Sequence, residues 1–182
     1  GFTGAGYPKA VPGELAKMAL DAKLSGKSLR FDVLTGASTG PEQDTMMAIT
    51  EASRFRFPYQ GDAACREKIN AGLIEYQDMH LSHAGTLVRY GYYGKLAFAV
   101  VEVTRINADG TLLCSSSCGA NNVYLDKAEK IILEVNEWQD ERMEGMHDIL
   151  SVASEHGKRV AIPINATGDR PGSKFQSIDV SK

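Results

Sequence analysis

Apolar positions near the start of the chain fall at helical spacing, with Val11, Leu15, Met18, Ala19 and Ala22 recurring around Pro12. That pattern predicts a helix with one buried stripe, and its first turn tolerates a proline because the missing N–H has no partner there. The spacing then switches. Leu29-Arg30-Phe31-Asp32-Val33-Leu34-Thr35 alternates and predicts a strand stopped by Gly36. A loop, Ala37-Ser38-Thr39-Gly40-Pro41, leads to a helix expected from Glu42 to Ala52. Phe55-Arg56-Phe57 is a short strand ended by Pro58, and Asp62 is placed to cap a helix from Ala63 to Ala71 with Cys65 and Ile69 on its buried face. Leu96 to Val103 is apolar almost throughout and predicts a central strand buried on both faces. Asn107-Ala108-Asp109-Gly110 then reads as a turn, and Thr111-Leu112-Leu113-Cys114 as the returning strand. A helix from Asn121 to Glu129, a strand from Lys130 to Val135 and a last strand from Arg159 to Pro163 complete the pattern. Strands alternating with helices, with buried strands in the middle, predict an α/β fold with an open, largely parallel sheet.

Composition narrows the function classes. The chain has 182 residues, 43% hydrophobic and 24% charged, with a formal net charge of −3. It is expected to be a soluble, cytoplasmic globular domain, and neither nucleic acid nor a membrane surface is implied as partner. The apolar run from Leu96 to Val101 is far too short for a bilayer. Cys65, Cys114 and Cys118 are an odd number and read as reduced thiols rather than a disulfide framework. Cys114 and Cys118 are separated by three serines and lack a second pair or a nearby histidine to complete a zinc site, so no metal is expected.

The strongest candidate chemistry lies at the beginning. Gly1, Gly4 and Gly6 surround Thr3, Ala5 and Tyr7 immediately before the first helix. Glycines there let a ligand approach the backbone, and the helix N-terminus that follows favours an anion. A plain steric turn fits the same residues, and Pro8 and Lys9 interrupt any dinucleotide fingerprint. Ser38 and Thr39 follow a strand at the end where open α/β sheets bind ligands, although capping of the next helix is the simpler reading. Gly119 lies in the small polar loop 115–122, either a connection or a second wall of a ligand site. Glu137 is an isolated candidate for an acid or nucleophile, with an exposed loop glutamate the simpler reading. His80 and His83 have no carboxylate partner set by spacing and read as structural histidines.

Several stretches, taken in order, carry a resemblance. These are Gly1 to Pro12, Leu34 to Pro41, Arg66 to Gly72, Asp78 to Leu81, and Ala128 to Gln139 with its Glu137-Trp138-Gln139 ending. Together they resemble the acetyl-CoA hydrolase/transferase family, most closely its succinyl-CoA:acetate and propionyl-CoA:succinate CoA-transferases. The resemblance runs from Gly1 to about Gly172. It implies an open α/β fold of the CoA-transferase type, built in two similar halves, of which this chain resembles the first. Residues 1–164 are then the N-terminal CoA-transferase domain, without the family's first strand and helix, and residues 165–182 a connection toward a C-terminal half.

The resemblance further implies transfer of coenzyme A between short-chain acids such as acetate, propionate and succinate, through a glutamyl-CoA intermediate. The nucleophilic glutamate belongs to the second half and has no counterpart here, so no catalytic residue is expected in this chain. Substrate contacts are expected from Thr3, Gly4, Ala5, Gly6, Tyr7, Ser38, Thr39 and Gly119. The implied partners are an acyl-CoA, a short-chain carboxylate, the C-terminal half, and a second copy in a homodimer of the full protein. Two departures bear on the choice of acid: Ala120-Asn121-Asn122 stands where many relatives have Asn-Ser-Gln, and Gly61 replaces a threonine of close relatives. Acetyl-CoA hydrolysis is the alternative within the family. An isolated ligand-binding module or inactive fragment is the alternative outside enzymes.

Overall fold

A computed structural model of the chain describes residues 6–38, 40–56, 59–150, 158, 161 and 172–182. The contacts divide it into two compact units, Gly1–Ala84 and Gly85–Lys182.

The first unit carries α1 (Ala10–Leu24), β1 (Phe31–Asp32), a π-helical turn at Glu42–Met46 that runs into α2 (Met47–Ile49), β2 (Ser53–Arg56), α3 (Ala63–Asn70) and β3 (Glu75–Tyr76). The strands form a wholly parallel sheet in the order β1-β2-β3. The α1 helix buries Pro12, Gly13, Ala16 and Ala19, a stripe of small side chains. Ala16 and Ala19 pack with Met47 and Ala52, flanked by Leu15, Leu29, Phe31, Val33 and Met46. Met18, expected on that stripe, is 54% exposed. It precedes Ala19 by one residue, which turns its side chain about 100° around the helix, away from the buried face.

The ends of these helices follow local chemistry. Asp62 caps α3 as the sequence predicts, its Oδ1 accepting from the Cys65 N–H at 2.8 Å. Gly72, at φ 71°, ends that helix, with Gly72 N–H bonded to the Ile69 carbonyl at 2.9 Å and Leu73 N–H to the Lys68 carbonyl at 2.9 Å. This paired pattern requires a left-handed residue, which glycine adopts without steric penalty. Cys65 and Ile69 share the buried face, packed with Ala48 and Ile74.

Two expectations here need correction. The strand predicted over Leu29–Thr35 pairs only around Phe31–Asp32, because its register against β2 shifts between those two residues. The segment from Glu42 to Ala52 is a widened π-turn and a short α-turn rather than one α-helix, with Met46 N–H reaching back five residues to the Pro41 carbonyl at 2.9 Å.

Helix α4 (Leu81–Arg89) spans the division between the units. The second unit then holds β4 (Leu96–Ile106), β5 (Thr111–Cys114), α5 (Asn121–Lys127), β6 (Ala128–Val135), a 3-10 turn at Glu141–Met143 and β7 (Gln176–Ser177). The sheet order is β6-β4-β5-β7, with β4 and β6 parallel and the other two pairings antiparallel. The hairpin around Asn107–Gly110 and the strand Thr111–Cys114 match the sequence reading. β4 is central, as expected, and its Ala99, Val101 and Val103 form the core with Leu112, Leu125 and Ala128.

Its burial is less complete than predicted, since Phe98 is 54% exposed on the opposite face. The boundary of α5 also moves. Ala128 is already extended and pairs with Leu96, so the helix ends at Lys127 and the strand begins without an intervening loop. The strand expected from Arg159 to Pro163 lies largely outside the described residues. Among the described residues no helix is long and apolar enough to cross a membrane.

Candidate functional site

The parallel pairing of the first unit resumes beyond β1 and β2. Ser38 bridges to Gln60, with Ser38 N–H donating to the Tyr59 carbonyl at 2.9 Å and Gly61 N–H to the Ser38 carbonyl at 3.2 Å. Ser38 therefore sits past the C-terminal ends of two parallel strands, the edge at which such sheets bind ligands. Its hydroxyl does not cap the following helix, contrary to the simpler sequence reading. Pro41 holds the cap position without a side-chain bond, while Ser38 Oγ donates to Asp44 Oδ1 at 2.5 Å.

Asp44 belongs to the π-helical turn, and the widened turn places it and Gln43 inside the protein. Arg56, the last residue of β2, reaches it: Nη2 lies 2.8 Å from Asp44 Oδ1, and both side chains are 0% exposed. Arg56 Nη1 also donates to the Gln43 carbonyl at 3.2 Å and Nη2 to Thr35 Oγ1 at 3.4 Å. A buried guanidinium and carboxylate each carry a large desolvation cost, which only mutual pairing and further hydrogen bonds offset. The arrangement thus ties the Ser38 loop, the π-turn and β2 into one polar unit. Sequence reasoning missed it. The one available signal was Arg56 standing between Phe55 and Phe57, since Asp44 sits in the polar stretch Glu42-Gln43-Asp44-Thr45 where a charge is ordinary.

Tyr7 joins the same loop. Its hydroxyl donates to Glu42 Oε2 at 3.2 Å, and its ring lies so close to Gly40 that a Cβ there would fall 2.2 Å from Cε2. Gly40 is therefore fixed by the approach of an aromatic ring to the backbone. Lys9 Nζ stands 4.4 Å from the centroid of that ring and donates to the Tyr7 carbonyl at 3.0 Å, which brings a positive charge beside the first turn of α1. Gly6, next to Tyr7, is buried. The structure thus brings Tyr7 and the Ser38–Glu42 loop together, while Thr3, Gly4, Ala5 and Thr39 lie outside the described residues.

Gly119 belongs to the second unit, where it takes φ 49° in the loop between β5 and α5. Cys118 beside it is partly exposed, and Cys114 at the end of β5 is buried. The neighbouring Cys114 and the Gln176 amide hold the Cys118 thiol below its ordinary range, while Cys118 and burial push Cys114 up. Gln176 Nε2 donates to Cys118 Sγ at 3.1 Å, and His147 Nε2 lies 2.8 Å from the Ser115 carbonyl.

Other sequence candidates stand apart from these groups. Glu137 is exposed in the turn after β6, beside a Trp138 that is 98% exposed. His80 and His83 are both exposed, with ring centroids 5.7 Å apart. Among the described residues no cluster of three or more His, Cys, Asp or Glu side chains is arranged to hold a metal ion.

Comparison with known proteins completes the description. Residues 1–167 match the family described as acetyl-CoA hydrolase/transferase N-terminal domain. The chain is 34% identical over its whole length to propanoyl-CoA:succinate CoA transferase of Escherichia coli, of which it covers 37%. It is 37% identical, over 96% of its length, to succinyl-CoA:acetate CoA-transferase of Clostridium kluyveri, covering 32% of that protein. An acetyl-CoA hydrolase of Schizosaccharomyces pombe is 36% identical over the whole chain and is covered to 36%. The chain thus spans about a third of the length of the curated relatives it matches. A solved structure, 4-hydroxybutyrate CoA-transferase from Porphyromonas gingivalis, aligns over 69% of this chain and 35% of that one, with 20% identity and a TM-score of 0.41.

Proposed function

Because this chain belongs to the acetyl-CoA hydrolase/transferase family through its N-terminal domain, we propose that it serves an acyl-CoA:carboxylate CoA-transferase that moves coenzyme A between short-chain acids. Acetate, propionate and succinate are the acids proposed. The observation that carries this reading is the match over residues 1–167, supported by two relatives named as CoA-transferases at 34% and 37% identity. In this reading residues 1–164 form the N-terminal domain and 165–182 lead toward the rest of a cytoplasmic, homodimeric protein.

The chemistry explains what such a domain has to provide. A glutamate outside this chain attacks the acyl-CoA thioester, the C–S bond breaks, and an acyl-glutamyl anhydride and CoA thiolate result. The thiolate then attacks the glutamyl carbonyl, releasing the first acid and leaving glutamyl-CoA. The acceptor carboxylate repeats these steps in reverse. Each addition develops an oxyanion, which preorganised N–H donors stabilise best in a water-poor site. The loop residues Thr3, Gly4, Ala5, Gly6 and Tyr7, ahead of the positive end of α1, are proposed to supply such donors. Ser38 and Thr39 at the sheet edge and Gly119 in the second unit are proposed to contact the substrate. The buried Asp44–Arg56 pair holds the Ser38 segment in place while acids enter and leave.

Hydrolysis of acetyl-CoA is the second reading, favoured by the relatives named as acetyl-CoA hydrolases. One experiment separates the two. The full-length protein containing this domain is given succinyl-CoA with labelled acetate and, separately, acetyl-CoA with no acceptor acid. Labelled acetyl-CoA without net release of free CoA supports transfer, and release of free CoA in the absence of acetate supports hydrolysis. An inert protein overturns both.

A further inference from the structure

The sheet of the second unit ends on a strand that carries its own complement. β6 (Ala128–Val135) is the last strand in the order β6-β4-β5-β7, and among the described residues β4 is its one strand partner. A strand edge offers a row of backbone N–H and C=O groups to any chain able to lie along it. Glu129, Lys130, Ile132 and Val135 are exposed on this strand. We propose that the β6 edge pairs with the same edge of a second copy, antiparallel, about a two-fold axis at Ile132. This gives the homodimer proposed above an interface, and it rests on that part of the reading alone.

The register follows from the order of residues. Side chains alternate along a strand, so a two-fold axis perpendicular to the sheet brings together only residues of the same face. With the axis at Ile132, Lys130 of each copy stands opposite Glu134 of the other, and Ile132 stands opposite itself. An axis at Lys130 sets lysine against lysine, and one at Glu134 sets glutamate against glutamate. An axis at Ile131 or Leu133 sets Ile132 against a charge. Opposite charges facing across two strands favour pairing and like charges oppose it. The two charges therefore reject the neighbouring registers and select this one.

Packing on both faces of the sheet agrees. Ile131 and Leu133 lie half-buried against the core of Ala99, Val101 and Val103. In the paired edges Ile131 of one copy meets Leu133 of the other, which carries that core across the axis. On the opposite face Ile132 stands beside Val100 of β4, and Lys130 beside the exposed Phe98. The facing Ile132 side chains join the two strips that Phe98, Val100 and Ile132 form. Glu129, whose Oε1 lies 3.5 Å from Lys95 Nζ, faces Val135 of the second copy and adds no like-charge contact.

The test is the mass of the whole 182-residue chain and its variants by light scattering on a sizing column. The parent is expected to be a dimer. Lys130→Glu sets carboxylate against carboxylate and Glu134→Lys sets ammonium against ammonium, so each is expected to raise the dimer Kd by about ten- to hundred-fold. Mixed in equal amounts, the two variants recover both opposite-charge pairs and are expected to form a heterodimer, which a misfolded chain does not do. Lys130→Glu/Glu134→Lys is expected to dimerise as the parent does. Ile132→Cys, opposite itself, is expected to give a reducible covalent dimer on mild oxidation that the parent does not form. A monomeric parent, with this edge left to solvent or covered by another segment of a longer protein, overturns the proposal. A dimer indifferent to both charge reversals overturns this interface while leaving the homodimer standing, and single variants that stay monomeric when mixed overturn the register. CoA transfer enters none of these readouts, so its failure is separate.

Discussion

Removing Arg56 tests whether the buried polar unit is what fixes the Ser38 loop. Arg56 and Asp44 are fully buried, with Nη2 and Oδ1 2.8 Å apart. Arg56→Met keeps most of the apolar stem but leaves the Asp44 carboxylate inside the protein with the Ser38 hydroxyl as its hydrogen-bond donor. Breaking one partner of a buried pair typically costs about 3–5 kcal/mol, because the remaining charge is uncompensated. Domains are stable by only about 5–15 kcal/mol in total, so this is a large share. With a urea dependence of about 2 kcal/mol per molar, a loss of 4 kcal/mol lowers the unfolding midpoint by about 2 M. Asp44→Leu should be comparably damaging, since it strands the guanidinium. The double variant Asp44→Leu/Arg56→Met should regain most of the loss, because neither charge then has to be desolvated. Urea unfolding followed by circular dichroism reads all three. Single variants with midpoints within about 0.3 M of the parent, or a double variant no better than the worse single one, would refute the reasoning.

Two further outcomes follow from local geometry. Gly40→Ala places a methyl group 2.2 Å from the Tyr7 ring, so the ring must leave and the Tyr7–Glu42 hydrogen bond breaks. The expected destabilisation is about 1–3 kcal/mol, relieved when Tyr7→Ala is added, and thermal melts of the single and double variants check it. Asp140 accepts from the Arg142 side chain and, at 2.9 Å, from the Arg142 N–H, which lowers its pKa from 3.8 to about 2. A lowered carboxylate pKa contributes stability that is present above pH 3.8 and is lost as the pH falls toward 2. Carboxyl NMR should find the Asp140 midpoint near 2, and Arg142→Ala should return it toward 3.8; an unchanged midpoint counts against the pairing.

The features legible in the sequence are those decided by near neighbours. The turn at Asn107–Gly110, the β5 strand and the Asp62 cap each depend on a few adjacent residues, and each appears where those residues place it. The family resemblance located the Tyr7 and Ser38 segments, which the structure brings together through Gly40 and Glu42. What escaped was set by partners distant along the chain. Asp44 finds Arg56 only once β2 is placed beside the π-turn, and no helical or strand period records that meeting. Ala128 becomes a strand residue because Leu96 of β4 pairs with it, overriding the helical spacing that precedes it. Met18 shows the opposite limit: the period was correct, but small residues rather than large ones decided which face turned inward.

The Ser38 hydroxyl has a direction. Its single hydrogen is committed to Asp44, so toward anything else the oxygen offers lone pairs alone. The substrate contact proposed for Ser38 therefore requires a partner that brings its own hydrogen, as an amide N–H does and an ionised acid does not. By fixing where that hydrogen points, a carboxylate and a guanidinium sealed inside the first unit leave Ser38 an acceptor and nothing else.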